Sequence, residues 1–241
     1  MTTGHVLVIG GSSGLGLALA GLLLSGGAEV TIASRSAERL AAAAAHLRAA
    51  PDRLRTQVLD IRDEDGVRRG LEASVPVHHI AVTAADATRA TGPLGGFQLT
   101  DARAVMDAKF FGPWLVGRYA AGHLPPTGSI TLTSGIPAHR PRPGSSVTAA
   151  ANAAVEGLVG ALALELAPVR VNAVSPGWMD TPLWDTIAGD RRAERLAEMA
   201  ARLPVGRVAR PTDVAEAFVA LMDNAHITGT VFHVDGGQRL V

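Results

Sequence analysis

A chain that alternates short, uniformly apolar segments with helix formers has few ways to fold. His5–Ile9 is such a segment, and it runs into the turn Ile9-Gly10-Gly11-Ser12-Ser13-Gly14-Leu15-Gly16 and then a helical pattern over 15–25. Further strand patterns lie at 29–33, 56–59, 80–83, Ser129–Thr133, 171–174 and Val231–Val234. Between them an Ala-rich helix ends near Pro51, and an acidic helix start lies at Asp63. Further helical patterns cover 100–122, capped by Thr100, then 146–166, 183–203 and 211–222. Apolar strands without polar alternation need cover on both faces, and strand–helix–strand spacing requires a parallel sheet. No linker or repeat divides the series. The expectation is α/β: a single doubly wound Rossmann-type domain over residues 1–241, with about seven parallel strands, helices on both faces and a substrate lid around 183–203.

Composition narrows the partners. The 241 residues carry 22 Lys+Arg against 22 Asp+Glu, and this balance argues against a nucleic acid or an anionic membrane surface. With no cysteine there is no disulfide, thiolate nucleophile or zinc–thiolate site, and no metal site is expected. Apolar runs are interrupted short of a membrane span, and no leader pattern opens the chain, so a cytoplasmic location is expected. Two counts stand out: Tyr119 is the only tyrosine, and of 22 basic residues only Lys109 is lysine.

The glycine-rich turn lies between the first strand and the first helix, where a helix N-terminus offers free N–H groups and a positive dipole end to a pyrophosphate. Gly10, Ser12, Ser13, Gly14, Leu15 and Gly16 are therefore candidate dinucleotide contacts. A site selecting NAD(H) places a carboxylate at the end of the second strand to accept from the ribose 2′-OH. This chain has Ser34 and Arg35 there, and a guanidinium suits a 2′-phosphate, so NADP(H) is the expected cofactor. Asp60, followed by Ile61, closes the third strand, where its carboxylate can accept from the adenine amino group.

With these residues in view the sequence resembles the short-chain dehydrogenase/reductase family over essentially its whole length. The resemblance rests on Gly10 to Gly16, Asp60, Val82-Thr83-Ala84-Ala85, Gly128-Ser129-Ile130 leading to Ser134, Asn172-Ala173-Val174-Ser175-Pro176-Gly177, Thr181-Pro182, and the closing Thr228-Gly229 and Asp235-Gly236-Gly237. It implies that Thr83, Ala84 and Ala85 line the cofactor, that Pro176, Gly177 and Met179 border the nicotinamide, and that Thr181 binds near its carboxamide and phosphates. It also implies a small-molecule substrate and a homodimer or homotetramer.

The catalytic centre departs from the family pattern, which combines a serine, a Tyr-x-x-x-Lys pair on one helix and an asparagine on the preceding long helix. Ser134 matches the serine. Thr148 falls on the tyrosine position, Asn152 on the lysine position and Lys109 on the asparagine position, so the last two appear exchanged. Thr148 is a far poorer acid than a phenol. Tyr119 lies roughly 15 Å further along the helix of Lys109 and points elsewhere. A desolvated lysine, unlike arginine, can lose its proton, which makes Lys109 the candidate proton donor. Ser134 would then hydrogen-bond a substrate oxygen and Asn152 would bind the nicotinamide ribose. Pro113 removes the donor for the carbonyl of residue 109, so the helix should kink there. His139 is either a second acid/base or part of a stiff exposed loop, and Asp86 either a solvated helix-start acid or a partner for Lys109. Trp178, Met179, Leu183, Trp184, Ile136 and Pro137 suggest a hydrophobic, cyclic or aromatic carbonyl substrate. A non-redox enzyme (isomerase, dehydratase or cyclase) and a silent NADP(H)-binding protein stand as alternatives.

Overall fold

A computed structural model describes residues 4–74, 76–84 and 90–241, with backbone only at 186 and 187. Among these residues seven parallel strands form one sheet in the order β3-β2-β1-β4-β5-β6-β7. They are β1 (His5–Ile9), β2 (Glu29–Ser34), β3 (Leu54–Val58), β4 (His79–Val82), β5 (Ser129–Thr133), β6 (Arg170–Pro176) and β7 (Val231–Val234). The fold expectation is met. The reason is visible in β1, where all five residues are buried because the pleat sends them alternately into two cores. Val6 and Val8 join the core built with α1 (Gly14–Ser25), α2 (Ala37–Leu47) and α9 (Pro211–Asp223). Leu7 and Ile9 join the opposite core, built with α3 (Glu64–Ala73), α5 (Gly112–Ala120) and α6 (Ser146–Glu165). Phe218 of α9 is fully buried, and truncating it to alanine should cost about 3–5 kcal/mol.

Three elements differ from expectation. The helix expected over 100–122 begins at Leu99, with Gln98 rather than Thr100 at its N-cap. It comprises α4 (Leu99–Met106), a π turn at Asp107–Phe111 and then α5. In the π turn the N–H of Gly112 reaches back five residues to the Asp107 carbonyl. This widened turn lies directly ahead of Pro113, which lacks the N–H an α turn would use. The expected distortion at residue 109 is thus a π turn.

The segment expected as one helix over 183–203 is broken into α7 (Leu183–Ala188), a 3-10 turn (Gly189–Arg191) and α8 (Arg192–Ala200). Gly189 has φ +50 and ψ −131, which a residue with a Cβ resists, and the break falls there. Arg192 then ties the segment down, reaching Asp180 and Asp185 at 2.6 Å each. Finally, α6 is long and apolar enough to cross a membrane by length and composition, where no such run was expected. Its Val155, Leu158, Val159 and Leu162 are buried in the core under the sheet.

Candidate active site

The strand order reverses direction between β1 and β4, which opens a crevice at the carboxyl ends of the strands. Most of the expected cofactor residues sit on that edge. Gly10 has φ +96, and a Cβ there would lie 2.5 Å from the Ala84 amide nitrogen and 2.7 Å from the Thr83 hydroxyl oxygen. The turn is therefore packed against the end of β4 as closely as glycine permits. Ser13 holds the N-cap of α1 without capping it by its side chain, so the first-turn N–H groups of Gly14, Leu15 and Gly16 stay available to an anion. Gly14 faces Thr181, whose methyl would lie 3.6 Å from a Cβ on that glycine. The Gly177 N–H bonds to the Val234 carbonyl at 3.0 Å, and Met179 pairs with Ala209.

Further out, Arg35, Asp60, Asp63 and Arg69 line a cavity of about 500 Å³ beyond β2 and β3. Asp60 is held by Arg62 at 2.7 Å, and that hydrogen bond keeps its carboxyl below the usual carboxylate range. Ser34 lies beside Arg35 at the end of β2, and Ser36 caps α2 by accepting from the Arg39 N–H. Ile61 is turned away from the crevice and wedged against Gly112. Ala85 and Asp86 lie outside the described residues.

At the other end of the crevice the π turn carries Lys109. Its Nζ donates to the Ser134 carbonyl at 3.1 Å. The residue as a whole is half-buried while protein atoms crowd the ammonium, and this desolvation lowers its pKa from 10.5 to about 8. Ser134 contributes to Lys109 through its backbone alone. Its hydroxyl is buried and donates to the Glu156 carboxylate at 2.6 Å, with the Asn152 carbonyl at 3.3 Å. The Ser134 hydroxyl proton is thus directed at Glu156, while its oxygen keeps an acceptor lone pair. The neighbouring residue faces Asn152 instead: a Cβ on Gly135 would lie 3.0 Å from Asn152 Nδ2.

The remaining candidates separate cleanly. Thr148 donates a short hydrogen bond to the Ala90 carbonyl, tying α6 to the loop before α4. Tyr119 donates to Glu64 at 2.6 Å on the α3 side, away from Lys109, as its position along the helix suggests. His139 binds Glu156 Oε1 through Nε2 at 3.0 Å and meets the His233 ring edge-on at 4.7 Å. Burial, with Arg239 nearby, lowers the His233 pKa. Glu156 and His233 were not singled out in the sequence. Glu156 lies one helical turn beyond Asn152 on α6, and that i+4 spacing was the available signal. No group of three or more His, Asp or Glu side chains suited to a metal occurs among the described residues.

A family model described as enoyl-(acyl carrier protein) reductase matches residues 9–239. The short-chain dehydrogenase/reductase malC of Malbranchea aurantiaca is 35% identical over 250 residues, covering 98% of this chain and 94% of its own length. The chain belongs to the short-chain dehydrogenase/reductase family. The structure of that Malbranchea protein, described as a reductase/Diels-Alderase, superposes with a TM-score of 0.91 at 36% identity, covering 98% of this chain and 96% of that one. A cis-4-hydroxycyclohexanecarboxylate dehydrogenase of Sinomonas cyclohexanicum is 36% identical over 98% of this chain and 96% of its own length. An NADPH-bound short-chain oxidoreductase from Pseudomonas aeruginosa PAO1, described as containing an atypical catalytic center, gives a TM-score of 0.88 at 30% identity, covering 97% and 95% of the two chains.

The short-chain dehydrogenase/reductase crevice of this chain fits a nicotinamide dinucleotide. Among the described residues Asn152 Oδ1 is buried and accepts no hydrogen bond, which leaves an acceptor for a ribose hydroxyl. The glycine turn brings backbone to the pyrophosphate position at the start of α1, as the fit requires.

Proposed function

We propose that this enzyme is an atypical NADP(H)-dependent oxidoreductase that interconverts a small hydrophobic carbonyl compound and its alcohol, with Lys109 as proton donor in place of the family's tyrosine. The observation that carries the reading is the buried Lys109 ammonium, placed on a π turn at the crevice with its proton affinity lowered into the working range. The bound nicotinamide supplies or accepts the hydride. Lys109 gives its proton to the carbonyl oxygen in reduction and takes it back in oxidation, and an acid with pKa near the working pH does both efficiently. The Ser134 carbonyl aims the ammonium, and Asn152 holds the ribose. Arg35 and Ser34 support NADP(H) over NAD(H), since neither offers the carboxylate that a ribose 2′-OH calls for.

The Pseudomonas oxidoreductase lends support, because its description joins NADPH to an atypical catalytic center. The Sinomonas dehydrogenase, named for a cyclic hydroxy acid, supports a cyclic substrate in a lining that includes Trp178, Met179 and Trp184. Exposed Trp114 on α5 and Leu164 on α6 support a homodimer or homotetramer. A second reading, a cyclase on this scaffold, draws on the Malbranchea protein's description as a reductase/Diels-Alderase.

Assays of NADPH-dependent carbonyl reduction by the wild type and Lys109→Ala test the proposal. The variant should lose turnover by about a hundredfold or more while still binding NADPH. Undiminished turnover in Lys109→Ala refutes the role of Lys109. NADPH binding without hydride transfer to any carbonyl favours the second reading.

A further inference from the structure

We infer that the mouth of the crevice holds an anionic group carried by the substrate, a carboxylate or sulfonate, on the guanidinium of Arg142 with Arg140 and Arg202 beside it. The inference rests on the crevice being the substrate site and narrows the substrate class proposed above. Several arginines here are neutralised within the chain: Arg55, Arg62, Arg68, Arg192, Arg207 and Arg239 all hold carboxylates. Arg140, Arg142 and Arg202 form no ion pair among the described residues. All three are solvent-exposed, and after partial burial the charges of Arg202 and Arg140 bear on Arg142 and lower its proton affinity. Three like charges gathered without a counter-ion are unfavourable, and a bound anion relieves that repulsion.

The Arg142 guanidinium is also prepared for a ligand. Its carbon sits 4.1 Å from the centroid of the Trp178 ring, so one face is covered by indole. Stacking of this kind fixes the plane and leaves the edge N–H donors for a planar oxyanion. The backbone beneath is locked as well. The Arg142 N–H donates to Ser145 Oγ at 2.8 Å, and that hydroxyl donates to the Arg142 carbonyl at 2.7 Å. Pro141 and Pro143 flank the residue, and the Gly92 N–H holds the Gly144 carbonyl at 2.9 Å.

Position links the cluster to the substrate rather than to the cofactor phosphates. Trp178 directly follows Gly177 at the end of β6, Arg140 and Arg142 follow the turn Ile136–Ala138 beyond β5, and Arg202 follows α8 of the lid. The glycine turn and Arg35 lie on the opposite side of the crevice, at β1 and β2. A substrate anchored by its anion at Arg142 would extend its carbonyl towards Lys109.

Calorimetric titration of the NADP+-loaded enzyme, which cannot reduce an aldehyde, tests this with 4-formylbenzoate and its neutral isostere 4-nitrobenzaldehyde. The wild type should bind the carboxylate at least about tenfold more tightly, and Arg142→Gln should abolish most of that advantage while leaving the neutral probe unchanged. Arg202→Gln should give a smaller loss in the same direction. In the wild type, added NaCl should weaken only the charged probe, a readout independent of any variant. Equal affinity for the two probes, or a charged-probe affinity untouched by Arg142→Gln, overturns the inference. Calorimetry reads binding alone, so a charge preference without turnover supports the anion site even where the redox reading falls. Turnover of carbonyls with no charge preference overturns the anion site and leaves the redox reading intact.

Discussion

Lys109 pays for its position in stability. Its ammonium is desolvated and meets one backbone carbonyl among the described residues, so the charged form is worse off in the fold than in the unfolded chain. With a pKa of about 8 in the fold against 10.5 unfolded, the unfolded chain binds more protons between those values, and stability rises with pH across that window. Below about pH 8 the penalty is fully present, on the order of 3 kcal/mol. Lys109→Met should therefore raise the melting temperature at neutral pH, with the gain shrinking as pH rises through 8 towards 10.5. Thermal melts of both proteins across that range check this, and a variant less stable than wild type at neutral pH contradicts it. A residue that destabilises its own fold in a crevice is the kind retained for function. The lone lysine was legible in the sequence because it breaks an arginine-rich pattern. The direction of Ser134 was not, because the strand pleat ends at Thr133 and the next residue's facing depends on how the loop leaves the sheet.

At the scale of elements, Glu156 clamps the end of β5 to α6 by accepting from Ser134 and His139 together. Glu156→Ala should leave the buried Ser134 hydroxyl without its carboxylate and cost about 1–3 kcal/mol, whereas Glu156→Gln retains an acceptor and should cost less. Chemical denaturation of the two variants decides the point, and equal losses would show that the hydrogen bond is not what matters. The clamp joins residues distant in the chain, so its partners were not signalled locally, and only the i+4 spacing from Asn152 pointed to Glu156. Strands and helices were legible because apolar periodicity reports burial directly. Two interruptions were not fully so. Pro113 marked where the long helix must deviate, yet whether the deviation is a kink or a π turn depends on packing against α6. Gly189 breaks the 183–203 segment through an unusual backbone conformation that its type allows but does not demand.

On the scale of the whole molecule, the sheet order sets a division of labour along the crevice. Strands β1 to β3 present the glycine turn, Arg35 and Asp60, while β5 and β6 with the segment after α8 present Ser134, Trp178 and the arginines. Alternating strands and helices made this arrangement readable, since a parallel sheet with a reversal in strand order gathers its loops on one edge. Chemistry at the reaction end was readable only in part, because it depends on which atoms of Ser134 and Gly135 face inward. The pH dependence of hydride transfer tests Lys109 as the proton donor most directly. Carbonyl reduction needs the ammonium, so kcat/KM should fall about tenfold per pH unit above about pH 8, while alcohol oxidation rises towards that value. A flat reduction profile from about pH 7 to about pH 10, or the same limb in Lys109→Ala, would contradict it.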